Sequence, residues 1–190
     1  RMLRKVSVVE QGDRSRRVFI VTASQRTIVE KQLAMLGSSI DLVLAELSLD
    51  EVLRGVDDGS IAQMKELVKK DGVVVLKLSD TEASLGITKD ETIARSKTIV
   101  QNLGSAVRKI SDEVKLDTLI VIGGDTASGV IEACGVVSLE LQGELQPGTV
   151  SGVALDGSIT DSLLITRAGG FGGEHALLEL VTLLEFGHNV

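Results

Sequence analysis

The sequence predicts an α/β domain of three layers, a mainly parallel sheet covered by helices on both faces. Three observations predict it. Short apolar runs recur, Val73-Val74-Val75-Leu76 and Thr118-Leu119-Ile120-Val121-Ile122 being the clearest, and a strand without a polar side is one buried on both faces. Segments with apolar residues three and four apart alternate with these runs, as in strand–helix–strand crossovers. Glycine is abundant, 20 of 190 residues, against a single proline, which suits tight turns between regular elements. The length suits one domain with a sizeable core. We assign residues 18–190 to it and residues 1–17 to a linker or N-terminal extension.

The elements follow in order. Val18-Phe19-Ile20-Val21 is the first strand. Ser24 stands as N-cap of a helix running to about Leu36, ended by Gly37, with Gln32 on its solvated side. Ile40-Asp41-Leu42-Val43-Leu44 is the next strand. Asp57-Asp58 opens a helix that buries Ile61, Met64, Leu67 and Val68, and Gly72 closes it before the strand 73–76. The strongest helical pattern carries Ile93, Val100, Leu103, Val107, Ile110 and Val114, with Ser96 on the same face. After the strand 118–122, a helix runs to about Cys134 and stops at Gly135. Residues 136–141 read as a strand and 143–158 as turn-rich. Leu163-Leu164-Ile165-Thr166 is the last strand and 177–184 a nearly all-apolar final helix. Such a Rossmann-like arrangement binds ligands at the carboxyl ends of its strands, which selects residues 22–24, 123–126 and 168–172.

Composition excludes several functions. Three Phe, no Trp and no Tyr leave little for stacking single-stranded bases or sugars. The net charge is −7; six of the basic residues lie in 1–17, leaving 14 basic against 25 acidic residues in the body. An acidic body argues against nucleic acid, so phosphate would be bound locally, by backbone N–H groups and helix ends. No apolar run reaches a membrane span, and the basic start lacks a signal-peptide core; a cytoplasmic domain excised from a longer protein is expected. Cys134 is the single cysteine and reads as a buried small residue. His175 and His188 have no metal-ligand spacing: His175 precedes the last helix, at a cap or ligand edge, and His188 reads as solvated.

Two segments carry most of the chemistry. In Ile122-Gly123-Gly124-Asp125-Thr126 a buried strand ends in two glycines and a helix begins at once. The helix's free N–H groups and positive end suit an anion. Asp125 and Thr126 supply an N-cap carboxylate and a hydroxyl, able to meet magnesium or a nucleotide hydroxyl; a plain capped turn is the alternative. It is neither a Walker loop nor a GxGxxG fingerprint. In residues 167–173 four glycines among seven residues can form a nest for phosphate, and Arg167 is placed to reach a phosphate oxygen or to join a surface ion pair.

Together the motifs resemble the C-terminal nucleotide-binding domain of the four-carbon acid sugar kinases. That family's Gly-Ser strand end with a later Gln resembles Ala23-Ser24 with Gln32. Its Gly-Gly-Glu/Asp-Thr loop resembles 123–126, its Glu-x-x-Pro-Gly turn Glu144-Leu145-Gln146-Pro147-Gly148, and its Lys-Ser-Gly-x-Phe-Gly loop 167–172. The resemblance covers about residues 18–186 and keeps the order and spacing. It implies ATP with Mg2+ as cofactors and an ATP site lined by Ser24, Gly123, Gly124, Asp125, Thr126 and Gly169. It implies a transferase whose small sugar-acid substrate and catalytic base belong to an N-terminal domain with no counterpart in this chain, so that the chain alone has no kinase turnover. Ala23, Arg167 and Ala168 replace the family's glycine, lysine and serine. A non-catalytic nucleotide- or anion-binding module is the alternative. Use of the apolar face 177–184 as an assembly surface, giving a homo-oligomer, is a third reading.

Overall fold

The computed structural model describes residues 3–6, 17–70, 72–79 and 89–186. The chain forms an α/β fold with one sheet. Its centre is five parallel strands: β2 (Arg17–Thr22), β3 (Leu42–Leu47), β4 (Gly72–Leu78), β5 (Thr118–Ile122) and β8 (Leu163–Arg167), side by side in the order β3-β4-β2-β5-β8. Antiparallel strands flank them. β1 (Leu3–Val6) pairs with β3, and the hairpin of β6 (Leu139–Gln146) and β7 (Thr149–Ala154) extends the sheet beyond β8. Residues 1–17 were assigned to a linker; residues 1, 2 and 7–16 lie outside the described residues, and Leu3–Val6 is an edge strand. His188 is also outside them.

Alternate side chains of the central strands enter two separate cores, as period-2 geometry requires. Phe19, Val21, Val74, Leu76, Leu119 and Val121 pack in one cluster. Its cover comes from α2 (Leu49–Arg54), α3 (Asp58–Val68), α4 (Lys89–Ser111) and α5 (Gly124–Ala133), through Val52, Ile61, Met64, Leu103, Val107 and Val130. Val18, Ile20, Val73, Val75, Ile120, Ile122 and Ile165 pack in the other, under α1 (Thr27–Ser39) and α6 (Ala176–Phe186). Leu177, Leu180, Val181 and Leu184 of α6 are buried there, so the apolar face expected at 177–184 is core, not a free assembly surface.

Several sequence expectations change. The α1 helix begins later than expected: its N-cap is Arg26, and Ser24 lies before it. Gly37 is inside the helix and buried rather than ending it; the helix runs on to Ser39, with Ile40 as C-cap. The helix α2 was not expected, although Ser48 and Glu51 form a reciprocal capping box at its start. Residues 136–138 are irregular and the strand starts at Leu139. The region 143–158 holds most of the β6–β7 hairpin, turned by Pro147 and Gly148. Cys134 is buried at the α5 C-cap, and burial pushes its thiol pKa up.

The chain winds outward from β2 to β3 and back to β4, then crosses to β5 on the other side of β2. After β2 and β8 it leaves toward the α1–α6 face; after β5 it leaves toward the opposite face. The backbones part there, and a crevice opens at the carboxyl ends of β2, β5 and β8.

Candidate functional site

A pocket of about 460 Å³ fills that crevice. Ala23, Ser24 and Arg26 line it from the end of β2. Gly123, Gly124, Asp125 and Thr126 line it from the end of β5, and Ala168, Gly169, Gly170 and Phe171 from the end of β8. Ser96, Ile99 and Val100 of α4 close it. All six residues assigned to binding from sequence, Ser24, Gly123, Gly124, Asp125, Thr126 and Gly169, are therefore brought to one place. Arg26 and Phe171 fall in or beside the segments selected from sequence, without a role of their own there, whereas Ser96, Ile99 and Val100 of α4 were not assigned to the site.

The first glycine segment is shaped by its own backbone. Gly123 has φ 110°, a conformation that side chains disfavour, and it serves as the N-cap of α5. No side chain caps that helix; Asp125 and Thr126, expected as caps, lie inside its first turn instead. The leading N–H groups of a helix have no intrahelical partner, and here no capping side chain takes them. The Gly123 N–H donates to the Arg167 carbonyl oxygen (2.8 Å), and Thr22 Oγ1 donates to the Ile122 carbonyl oxygen (3.2 Å) and accepts from the Ser24 N–H (3.0 Å). These bonds join the three strand ends. Ser24 Oγ accepts from the Arg26 N–H across a short turn (3.4 Å) rather than capping α1.

The second segment, 168–173, is held by side chains from elsewhere. Gln32, expected on the solvated side of α1, is 1% exposed. Its amide donates to the carbonyl oxygens of Phe171 (3.1 Å) and Gly173 (2.9 Å). The apolar spacing Val29, Leu33, Leu36 already placed position 32 on the inner face. Arg167 is 3% exposed and forms neither a surface ion pair nor part of the pocket wall. Its Nη2 donates to the Phe171 carbonyl oxygen (2.8 Å) and its Nη1 to Gln146 Oε1 (3.1 Å). Burial pushes its pKa down. Gln146 Nε2 donates in turn to the Ala176 carbonyl oxygen at the start of α6 (3.1 Å).

The Pro147-Gly148 turn completes the support. Glu144 Oε1 accepts from the Gly148 N–H (2.8 Å), and the Gly148 carbonyl oxygen accepts from the Ala168 N–H (3.0 Å). The Phe171 ring rests on Gly148: a Cβ there would come within 2.8 Å of it. Lys31 pairs with Glu174 across the outer rim (2.6 Å). His175 is exposed just before α6 and is not in the pocket wall.

Among the described residues, the charged side chains of the pocket wall are Arg26 and Asp125. Asp125 is the one carboxylate in the pocket wall, with no hydrogen bond or ion pair of its side chain to a described residue. Among the described residues no group of three or more His, Cys, Asp or Glu could hold a metal ion. No helix among the described residues is long and apolar enough to cross a membrane.

Comparison with known proteins agrees with the family resemblance. Residues 19–177 match the model of the nucleotide-binding C-terminal domain family. The D-threonate kinase of Salmonella typhimurium is 32% identical over 85 residues, 45% of this chain but 20% of that protein. A domain of unknown function from Bordetella bronchiseptica, solved with bound citrate as a domain-swapped dimer, has a TM-score of 0.69 at 20% identity, covering 91% of this chain and 42% of that one. A Haemophilus influenzae protein has a TM-score of 0.63 at 16% identity over 87% and 40%. The chain thus spans well under half the length of these relatives. With its match over residues 19–177 and its four motifs in order, the chain belongs to the nucleotide-binding C-terminal domain family, the domain of four-carbon acid sugar kinases.

Proposed function

We propose that this chain is the ATP-holding part of a kinase that phosphorylates a small four-carbon sugar acid, a tetronate or 3-oxo-tetronate. The observation that carries the reading is the convergence of three strand ends, distant in sequence, on one pocket with two glycine segments in its wall. In a three-layer, Rossmann-like fold that crevice is where a nucleotide sits. The backbone at Gly123 and Gly124 would let phosphate approach the open N-terminus of α5. Asp125 would hold the magnesium ion that accompanies the phosphates, and that ion would neutralise charge developing on the transferred group. Ser24 and Gly169 would bound the site from the other two strands. The sugar acid and the group that accepts its hydroxyl proton would come from a separate domain, such as the further length of the D-threonate kinase relative. Phosphoryl transfer is largely positioning and charge neutralisation, so this part would fix the donor while the other fixes the acceptor.

Calorimetric titration of Mg-ATP and ADP tests the reading, beside Asp125→Ala and Gly124→Val. A Cβ at Gly124 meets nothing within 4 Å, so the valine variant is expected to fold and to obstruct the pocket. Saturable binding that both variants lose supports the reading. Absence of binding both in this chain and in a longer protein containing it sinks the reading.

A further inference from the structure

The motif resemblance sets Arg167 where the family has a lysine, at the entrance of a phosphate-type loop. The structure gives that arginine a different task. It ends β8, is 3% exposed, and is absent from the pocket wall. Both terminal nitrogens are engaged, on the Phe171 carbonyl and on Gln146, and Nε is buried without a partner. Two of its five N–H donors are taken by these bonds, and the buried group presents no face to the pocket.

Arg26 differs on each count. It is exposed, lines the pocket and forms no ion pair among the described residues. Its guanidinium lies over Gly170, where a Cβ would come within 3.2 Å of Nη1. The missing side chain at 170 leaves that space to the arginine. A solvent-reached guanidinium keeps its planar fork of donors for phosphate oxygens.

We propose that Arg26, not Arg167, is the side-chain cation that meets the phosphate tail of the nucleotide, and that Arg167 is a positioning residue that sets the 168–173 loop. This rests on the nucleotide reading above. A direct contact and a positioning role separate by salt dependence, because added ions screen an exposed charge contact and leave a buried hydrogen-bonded support nearly untouched.

ADP is titrated into the wild-type chain, Arg26→Gln, Arg26→Lys and Arg167→Lys at low and high salt, with thermal unfolding of each as a control. Arg26→Gln is expected to weaken ADP about tenfold or more, the size of a lost charge-assisted hydrogen bond, and to flatten the salt dependence. Arg26→Lys should recover part of both. Arg167→Lys keeps the charge but loses the fork; it should weaken ADP while the salt dependence stays as in wild type. Unchanged ADP affinity in Arg26→Gln overturns the assignment, as does a salt dependence that disappears in Arg167→Lys alone. If wild type binds no ADP, here or within a longer protein, the nucleotide reading falls and this assignment falls with it.

Discussion

The two glycine segments face each other across one pocket but are built in opposite ways. The turn at 123–124 takes its shape from its own backbone, a positive φ at Gly123 and a helix that starts without a side-chain cap. The loop at 168–173 takes its shape largely from side chains outside it: distant Gln32 on α1 and Gly148 on the β6–β7 turn, together with Arg167 at its own entrance. A run of glycines therefore says little about rigidity. Four glycines among seven residues suggest freedom, yet the loop's carbonyls at 171 and 173 are held by a buried amide.

The contrast can be broken from either side. The largest effect is expected at Gly123→Val. The backbone angle there is 110°, which costs a β-branched residue about 3 kcal/mol; urea unfolding should show the loss. A smaller loss, about 2 kcal/mol, is expected for Gln32→Leu, which leaves two loop carbonyls without their buried donor. The two variants should differ in where they loosen the chain. Amide exchange in Gln32→Leu should rise at 168–173 and stay unchanged at 123–126. A result in which both segments loosen together would refute the division between a self-shaped and a supported segment.

The smallest effect is expected at the opposite end of the sheet, where the strands begin. Arg17 grips Asp117 through two bonds of 2.8 Å, tying β2 to β5. The arginine holds the Asp117 carboxyl below its ordinary value of 3.8. A depressed folded pKa gives stability that is present above 3.8 and is lost as pH falls through the folded value. Asp117→Asn should cost about 1 kcal/mol at neutral pH, as for a partly exposed forked pair. The gap from wild type should close on acidification below the ordinary aspartate range, and pocket ligands should bind both proteins alike.

The same contrast explains what could be read from the sequence. The five parallel strands were legible because each carries apolar residues toward both cores, and β5, buried throughout, coincides with the apolar run 118–122. The turn at 123–124 was legible because its cause lies within it. The supports of the other loop were not, because a buried hydrogen bond between positions 32 and 173 leaves no local trace beyond a polar residue at an inner helix position. The strand read at 136–141 caught only the start of β6, and the rest of the β6–β7 hairpin was missed for another reason. Leu139 to Glu144 of β6 are exposed on both faces, so beyond the short alternation Leu139-Glu140-Leu141-Gln142 the strand has no buried apolar run to mark it. Its glycine, proline and glutamates read as turns.

The three strand ends that make the pocket lie at residues 22, 122 and 167, joined by the bonds from Thr22 to Ile122 and from Gly123 to Arg167. None of these contacts is local, and closing such long loops slows folding. No early fragment of the chain can carry the site. A nascent chain can assemble the β2–β5 edge once residue 122 has emerged from the ribosome, but the third wall waits for residues 168–171. Ligand capture during synthesis would therefore time-stamp the docking of β8, the step at which a half-built sheet becomes a binding protein.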